Sequence, residues 1–448
     1  MARRTRRRGT WYLFLVVIAL IAAACGNGAS ESSEEPASTS PTVETRATGA
    51  PTTTQADDDS ESDTTAAPTA EGDPIVIGGT LGMTGAFADP SSQFRVAYDY
   101  WLERINSEGG LLGRPVEMII YDDESSADTA QNLYQRLITE DQVDLILGPF
   151  ATGPGGAVMP VVQANNRVLW NAGFIGLDLH RQYTENLVGI LTYNELEQLD
   201  VLFDLIASLP EDTRPTRVGF ATAQAPFQLM VRDGLDGEGG GIRQAEALGL
   251  EVVMNEEYPT NPTDVRAIID EAIASDVEIF INISFPNDGA LFATTAVEAG
   301  FQPDIHCVCG SQVTVLPLWE DLGPAGEGVM GITTAWPASD DYRELDELFE
   351  VVQQELGTNQ IAPTAVQGLA ILQMLEEAIK ATGTLDEWEL RDYVLANTFD
   401  TAAGTLSFPE GRNYPESNTM LLQWQNGQNE AIWPKERATA DPIVPLER

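Results

Sequence analysis

The chain has 448 residues, enough for one large or two medium domains without disulfide or metal staples. Its 69 Asp plus Glu against 24 Lys plus Arg leave a formal charge of -45, which repels nucleic acid and anionic membrane surfaces and argues against both as partners. That acidity reads as a solvated surface suited to solubility or to a salty medium, not as cation binding.

The N-terminus opens with the basic stretch MARRTRRR, followed by an apolar run of 14 residues from Trp11 to Ala24 and then Cys25. The run is short for a spanning helix, and small residues Ala22, Ala23 and Ala24 precede the cysteine. This resembles a bacterial lipoprotein signal peptide over residues 1–25, which implies cleavage before Cys25 and a lipid on that residue. Ala22 stands where such signals usually carry Leu. Residues 26–73 hold almost no large apolar side chain, so they are expected to form a disordered, acidic tether.

The body starts at Pro74. PIVIGGT predicts a strand, SQFRVAYDYWLERINSEGG a helix, PVEMIIYDD a strand, TAQNLYQRLITED a helix, VDLILGPF a strand, then a helix starting near Gly155 and the strand NRVLWNAG. The rhythm restarts with the strand RVGFATAQ and one helix within 227–248. EVVMNEEYP, the helix DVRAIIDEAIASD, VEIFINISFP, a helix over 287–299 and DIHCVCGS follow. Two alternating blocks predict two lobes, each a mostly parallel sheet with helices on both faces. The last part breaks the rhythm: GVMGITTAW, a helix over 363–382, another over 387–395, and late strands at GTLSFP and TMLLQWQ.

Cys307 and Cys309 stand two apart on a predicted strand, pointing to one face, so bridging them requires local distortion. They are expected to be free, buried thiols, with a strained bridge or metal and redox chemistry as the alternatives.

Open α/β sheets bind ligands beyond the carboxyl ends of their strands. Those ends collect GMTGAFAD, GPFATG, NAGFIG, AQAPF, NISFPND and CGSQ, three phrases to each lobe, so a cleft between lobes is the expected site. GPFATGPGG has no lysine after its glycines and fails the phosphate-loop pattern; GGTLGMTG misses the dinucleotide fingerprint. Thr152 could instead face an anion at a helix start, the plainer alternative being a turn or cap role. No cofactor, metal site or catalytic constellation is implied. His180 and His306 lie outside zinc spacing, no GxSxG elbow occurs, and adjacent strand residues Asp122 and Asp123 face opposite ways. Phe87, Phe150, Phe174, Phe227, Phe285 and Trp336 fall in or beside the loops, as ligand walls or as satellite core packing.

Four phrases, GMTGAFAD, INSEGGLLGRPVEMIIYDDES, VDLILGPFATG and NRVLWNAG, resemble the periplasmic-binding-protein type I solute receptors of ABC importers, Leu/Ile/Val-binding branch. The resemblance covers roughly residues 75–433. It implies a two-lobed α/β fold with a three-strand hinge near Thr192, near Thr333 to Thr334 and near Ser407 to Glu416. The expected lobes are residues 74–192 with 334–409 and residues 193–333 with 410–437, followed by a tail over 438–448. By position Thr152 matches the hydroxyl residue that binds the ligand carboxylate. Phe174 and Gly176 match residues that bind through their backbone, and Phe227 and Phe285 approximate aromatic positions. Thr84, Phe150 and Ala151, from the loop phrases, and Trp336, beside the strand-end loop that ends GVMGITTAW, complete the expected set. Ser311 falls near the acidic residue that typically pairs with the ligand ammonium, and a hydroxyl cannot replace that charge. Phe227 likewise lacks the hydroxyl of the tyrosine common there.

The resemblance implies a non-catalytic solute-binding component that takes an amino acid or a similar small polar or amphipathic solute. Its partners would be an ABC permease with its ATPase, and its contact with the membrane a lipid anchor on the outer face. A ligand-sensing extracellular receptor, uncoupled from transport, is the alternative.

Overall fold

A computed structural model describes residues 70–310, 317–337 and 340–446. The expected signal peptide, Cys25, nearly all of the acidic tether and Ser311 lie outside these residues.

The first block contains β1 (Ile75–Leu81), α1 (Ala88–Ser107), β2 (Val116–Asp122), α2 (Ala127–Thr139), β3 (Leu145–Leu147), α3 (Thr152–Ala164), β4 (Leu169–Asn171), α4 (Leu177–Gln182) and β5 (Leu187–Gly189). Its five strands pair in parallel in the order β2-β1-β3-β4-β5. The sequence explains the layering. The short strands LIL and LWN are buried throughout, as strands covered on both faces must be. In α1, Phe94, Ala97, Tyr98, Trp101 and Ile105 recur at helical spacing and are all buried.

The second block runs through α5 (Asp200–Ser208), β6 (Arg217–Ala223), α6 (Pro226–Asp233), α7 (Gly241–Ala247), β7 (Glu251–Tyr258), α8 (Arg266–Ala274), β8 (Ile279–Ile283), α9 (Pro286–Ala299), β9 (Ile305–Val308) and β10 (Met330–Thr333). After it come α10 (Leu345–Leu356), α11 (Pro363–Thr382), α12 (Glu387–Ala396), β11 (Thr398–Thr401), β12 (Gly404–Ser407), β13 (Met420–Gln425) and β14 (Gln428–Trp433). The second sheet runs β14-β13-β10-β9-β8-β6-β7, parallel from β7 to β10 and antiparallel at β13 and β14. The chain therefore has a bilobed α/β fold with helices flanking both sheets.

Hydrophobic burial follows the same division. One core joins β1, β3 and β4 to α10, α11 and the β11–β12 ribbon. Another joins α5, β6, β8 and β10 to Leu421 and Ile432. Three connections link the two lobes: β5 to α5, β10 to α10, and β12 to β13.

Four local expectations differ from the structure. The stretch 227–248 holds two helices, because Gly234, Gly237, Gly239 and Gly240 all take positive φ and break the helical run. Helix α3 starts at Thr152, three residues before Gly155. The short elements α4, α5, α10, β5, β11 and β14 were not expected; most are too brief to show a period. Cys307 and Cys309 are bonded, not free: their Cα atoms stand 5.3 Å apart, inside the span of a disulfide, since Cys309 already lies past the end of β9.

Candidate functional site

Strand ends of both lobes converge on one cavity of about 230 Å³. From the first lobe Phe87, residues 150–154 and residues 173–175 line it; from the second, residues 225–228, Thr260 and Phe285; Tyr193 enters from the first connection between the sheets. Phe87 meets Phe150 edge-on at 5.4 Å and reaches across to Phe285 at 5.9 Å, so aromatic faces of the two lobes touch.

The backbone around Thr152 is unusual. Ala151 takes φ 73° and ψ 147°, a region that costs a non-glycine residue about 1–3 kcal/mol. Two bonds hold it there: its N–H donates to the Gly173 carbonyl at 3.0 Å, and its carbonyl accepts from Gly155 at 3.0 Å. The neighbouring loop is tied by Asn171, whose Oδ1 accepts from Gly173 and Phe174 at 3.0 and 3.1 Å while its Nδ2 donates to the Phe174 carbonyl at 2.5 Å. The Phe174 ring then lies flat against α3 because residue 155 is glycine. A Cβ there would stand 2.6 Å from that ring.

Helix starts flank the cavity. Phe87, Ala151, Ala225 and Phe285 immediately precede α1, α3, α6 and α9, and all four line the cavity. None of these helices has a side-chain cap, and first-turn residues of α3 and α6 line the cavity, whereas α1 and α9 reach it through Phe87 and Phe285 and carry Asp89 and Asp288 in their first turns. Two carboxyls are buried close behind the wall. Glu195 sits two residues past Tyr193, accepts from the Leu177 N–H at 3.3 Å, and is pushed up to about 7 by burial. Asp288, in the first turn of α9, is pushed up to about 6 by burial. Each has one oxygen without a hydrogen-bond partner among the described residues.

The cavity brings together Phe150, Ala151, Thr152, Phe174, Phe227 and Phe285 of the expected set. Gly176 stands beside it, at φ 55°, where a Cβ would approach Thr152 Cγ2 to 3.1 Å. Thr84 does not line it; its hydroxyl donates to Asp122 at 2.8 Å on the exposed rim. Trp336 does not line it either: it is buried in the first lobe's core, and its backbone N–H donates to Asp340 Oδ2 at 2.9 Å. Ser311 is outside the described residues. Tyr193, Gln228 and Thr260 went unnoticed in the sequence. Tyr193 was within reach, since it directly follows the expected hinge residue Thr192.

Other expected non-sites are explained by their contacts. Asp123 is buried, accepting from Thr80 Oγ1 at 2.7 Å, while Asp122 serves the Thr84 rim, so the two carboxylates do not act together. His180 is buried beside Asn413 at 3.0 Å, and burial pulls it down to about 4. Among the described residues no cluster of His, Cys, Asp and Glu could hold a metal ion.

A family model described as "Periplasmic binding protein" matches residues 74–429. The chain belongs to this family. Its relatives include the Leu/Ile/Val-binding protein homolog 7 of Brucella abortus (strain 2308), 20% identical over 383 residues that span 83% of this chain and 94% of the relative. A leucine-binding protein from Thermotoga maritima has a similar fold, with TM-score 0.68 and 17% identity over 80% of this chain and 97% of its own. So does a solute-binding protein of an ABC transporter from R. palustris in complex with benzoate, with TM-score 0.69 and 17% identity over 84% and 100% of the two chains. The fold is the periplasmic binding protein type I architecture, related to the Leu/Ile/Val-binding branch. The protein is an extracytoplasmic solute-binding component of an ABC-type transport system, in a class that binds without catalysing.

Proposed function

We propose that the cleft captures one small amphipathic solute with an anionic end and that the closed complex delivers it to an ABC permease. The observation that carries this reading is a cavity walled by both lobes and lined by the uncapped starts of α3 and α6 together with several phenylalanines. Residues 74–192 with 334–409 and residues 193–333 with 410–437 would move as the two bodies. Ligand contacts made by both then favour the closed population, which a permease can read. The small solutes named for the Thermotoga and R. palustris proteins, leucine and benzoate, are of the size and character this cavity suits. A lipid on Cys25 would hold the protein at the outer face of the cell membrane.

A thermal-shift screen over amino acids, amides, short-chain acids and small sugars tests the reading, because binding to the native state alone raises apparent stability. Thr152→Val then weakens the best ligand by about 1–3 kcal/mol through an unpaired ligand oxygen. Unchanged affinity removes Thr152 from the site. Cys25→Ser should move the protein from the membrane fraction to the medium.

A further inference from the structure

We propose a buried water-binding site where the three connections between the lobes cross, with one water held by Gln198 and Thr334 directly behind Tyr193. The site itself is independent of the ligand reading above, whereas its effect on ligand affinity rests on that reading. A second cavity, of about 10 Å³, is lined by Tyr193 and Gln198 from the first connection, by Ile332, Thr333 and Thr334 where β10 runs into the second, and by Pro363 at the start of α11. That is room for one water and for nothing larger. The third connection closes on the same place, since the Asn418 N–H donates to the Thr192 carbonyl at 2.6 Å. Among the described residues Gln198 Oε1 and Thr334 Oγ1 have no hydrogen-bond partner, and neither residue is more than 2% exposed. The hydroxyls of Thr192 and Thr364, each next in sequence to a residue lining the cavity, are as deeply buried and also without a partner. Buried polar atoms left unpaired are costly, and several gathered on one cavity of this size call for a water.

The chemistry of these groups separates water from a monovalent cation. A cation coordinates oxygen lone pairs and leaves a hydroxyl hydrogen unpaired, whereas one water can donate to Gln198 Oε1 and accept from Thr334 Oγ1. The Arg437 guanidinium donates to the Thr334 carbonyl at 2.9 Å, and its charge works against a second cation close by. Tyr193 lines both this cavity and the ligand cleft, so it is the wall between them. Without the water the tyrosine is backed by unpaired polar atoms, and its place in the cleft wall depends on how they rearrange.

Oxygen-17 magnetic relaxation dispersion on the purified, ligand-free protein counts long-lived internal waters and tests the site. Thr334→Val should hold one such water fewer than the wild type, and Thr334→Ser, which keeps the hydroxyl, the same number. Gln198→Leu, the second variant should Thr334→Val fail to fold, should also lose one, and the double variant no more than one. An equal count in the wild type, Thr334→Val and Gln198→Leu overturns the site. Choline chloride in place of NaCl at equal ionic strength should leave the count and the melting temperature unchanged; a melting temperature that requires Na⁺ overturns water in favour of a cation. Thr334→Val should weaken the best ligand of the thermal-shift screen about 2- to 10-fold, and Thr334→Ser should not. Unchanged affinity with the water lost overturns the link through Tyr193. A screen without any binder overturns the cleft reading and leaves the water count to decide the site.

Discussion

At the front of the cleft Phe87 and Phe285 touch across the lobes at 5.9 Å, and no charged side chain is found among the described lining residues. At the back, Asp340 and Arg437 form a two-pronged ion pair at 2.8 and 3.0 Å, both largely buried, with Arg437 also donating to the Thr334 carbonyl at 2.9 Å. The two regions differ in what separation would cost. Parting two phenylalanine rings exposes apolar area, whereas parting a buried guanidinium from its carboxylate strands two charges. Of the two contacts, the apolar one is therefore the less costly to part. A third contact between the lobes, Arg181 to Asp236 and Glu238 at 3.0 and 3.2 Å, is exposed and belongs energetically with the front.

Four perturbations would break or sharpen that contrast. The largest effect is expected at the back: Asp340→Ala leaves Arg437 without its partner and should cost about 3–5 kcal/mol in urea unfolding. Equal stability with and without Asp340 would show that parting this pair costs little. Next comes Glu195, whose folded value is raised to about 7 by burial, with Asp178 adding like charge. The folded state then holds this proton more strongly than the unfolded chain. Its stabilisation is complete below the unfolded value and is lost as pH rises to about 7, a fall on the order of 3 kcal/mol. Glu195→Gln should flatten that part of a stability-versus-pH curve; an unchanged slope would show that Glu195 titrates normally. Third, Phe285→Ala should lower ligand affinity by roughly 1–2 kcal/mol while shifting the ligand-free melting temperature little, because its ring faces the opening wall. A large loss of ligand-free stability would make it a core residue instead. Smallest is Arg181→Ala, expected to change ligand-free stability by less than about 1 kcal/mol and to reduce the salt dependence of ligand binding. Binding that responds to salt as before would remove this contact from closure.

Much of the scaffold was readable from local pattern. Helix α11 covers 363–382 as expected, with Pro363 opening it and Gly383 closing it in the left-handed conformation. The loops that carry Phe150, Thr152, Phe227 and Phe285 were found as strand ends, and the missing lysine in GPFATGPGG already ruled out a phosphate loop. Thr84 and Trp336 show where that reasoning stops. Thr84 lies in a strand-end loop phrase and Trp336 beside a strand end, yet one turns outward to Asp122 and the other inward to the first lobe's core. Loop membership says nothing about which way a side chain leaves the loop.

The sequence by itself determined the alternation of strands and helices, the two-lobed class and the positions of the loops, because each depends on residues a few places apart. Tertiary structure alone decided that residues at or just before four helix starts line one cavity, that Tyr193 and Thr260 join it, and that Cys307 and Cys309 come close enough to bond. These depend on the backbone's path between elements distant in sequence. The strained Ala151 shows the same reason at one residue: nothing in GPFATG requires φ 73°, and the carbonyl of Gly173, from another strand end, holds it there.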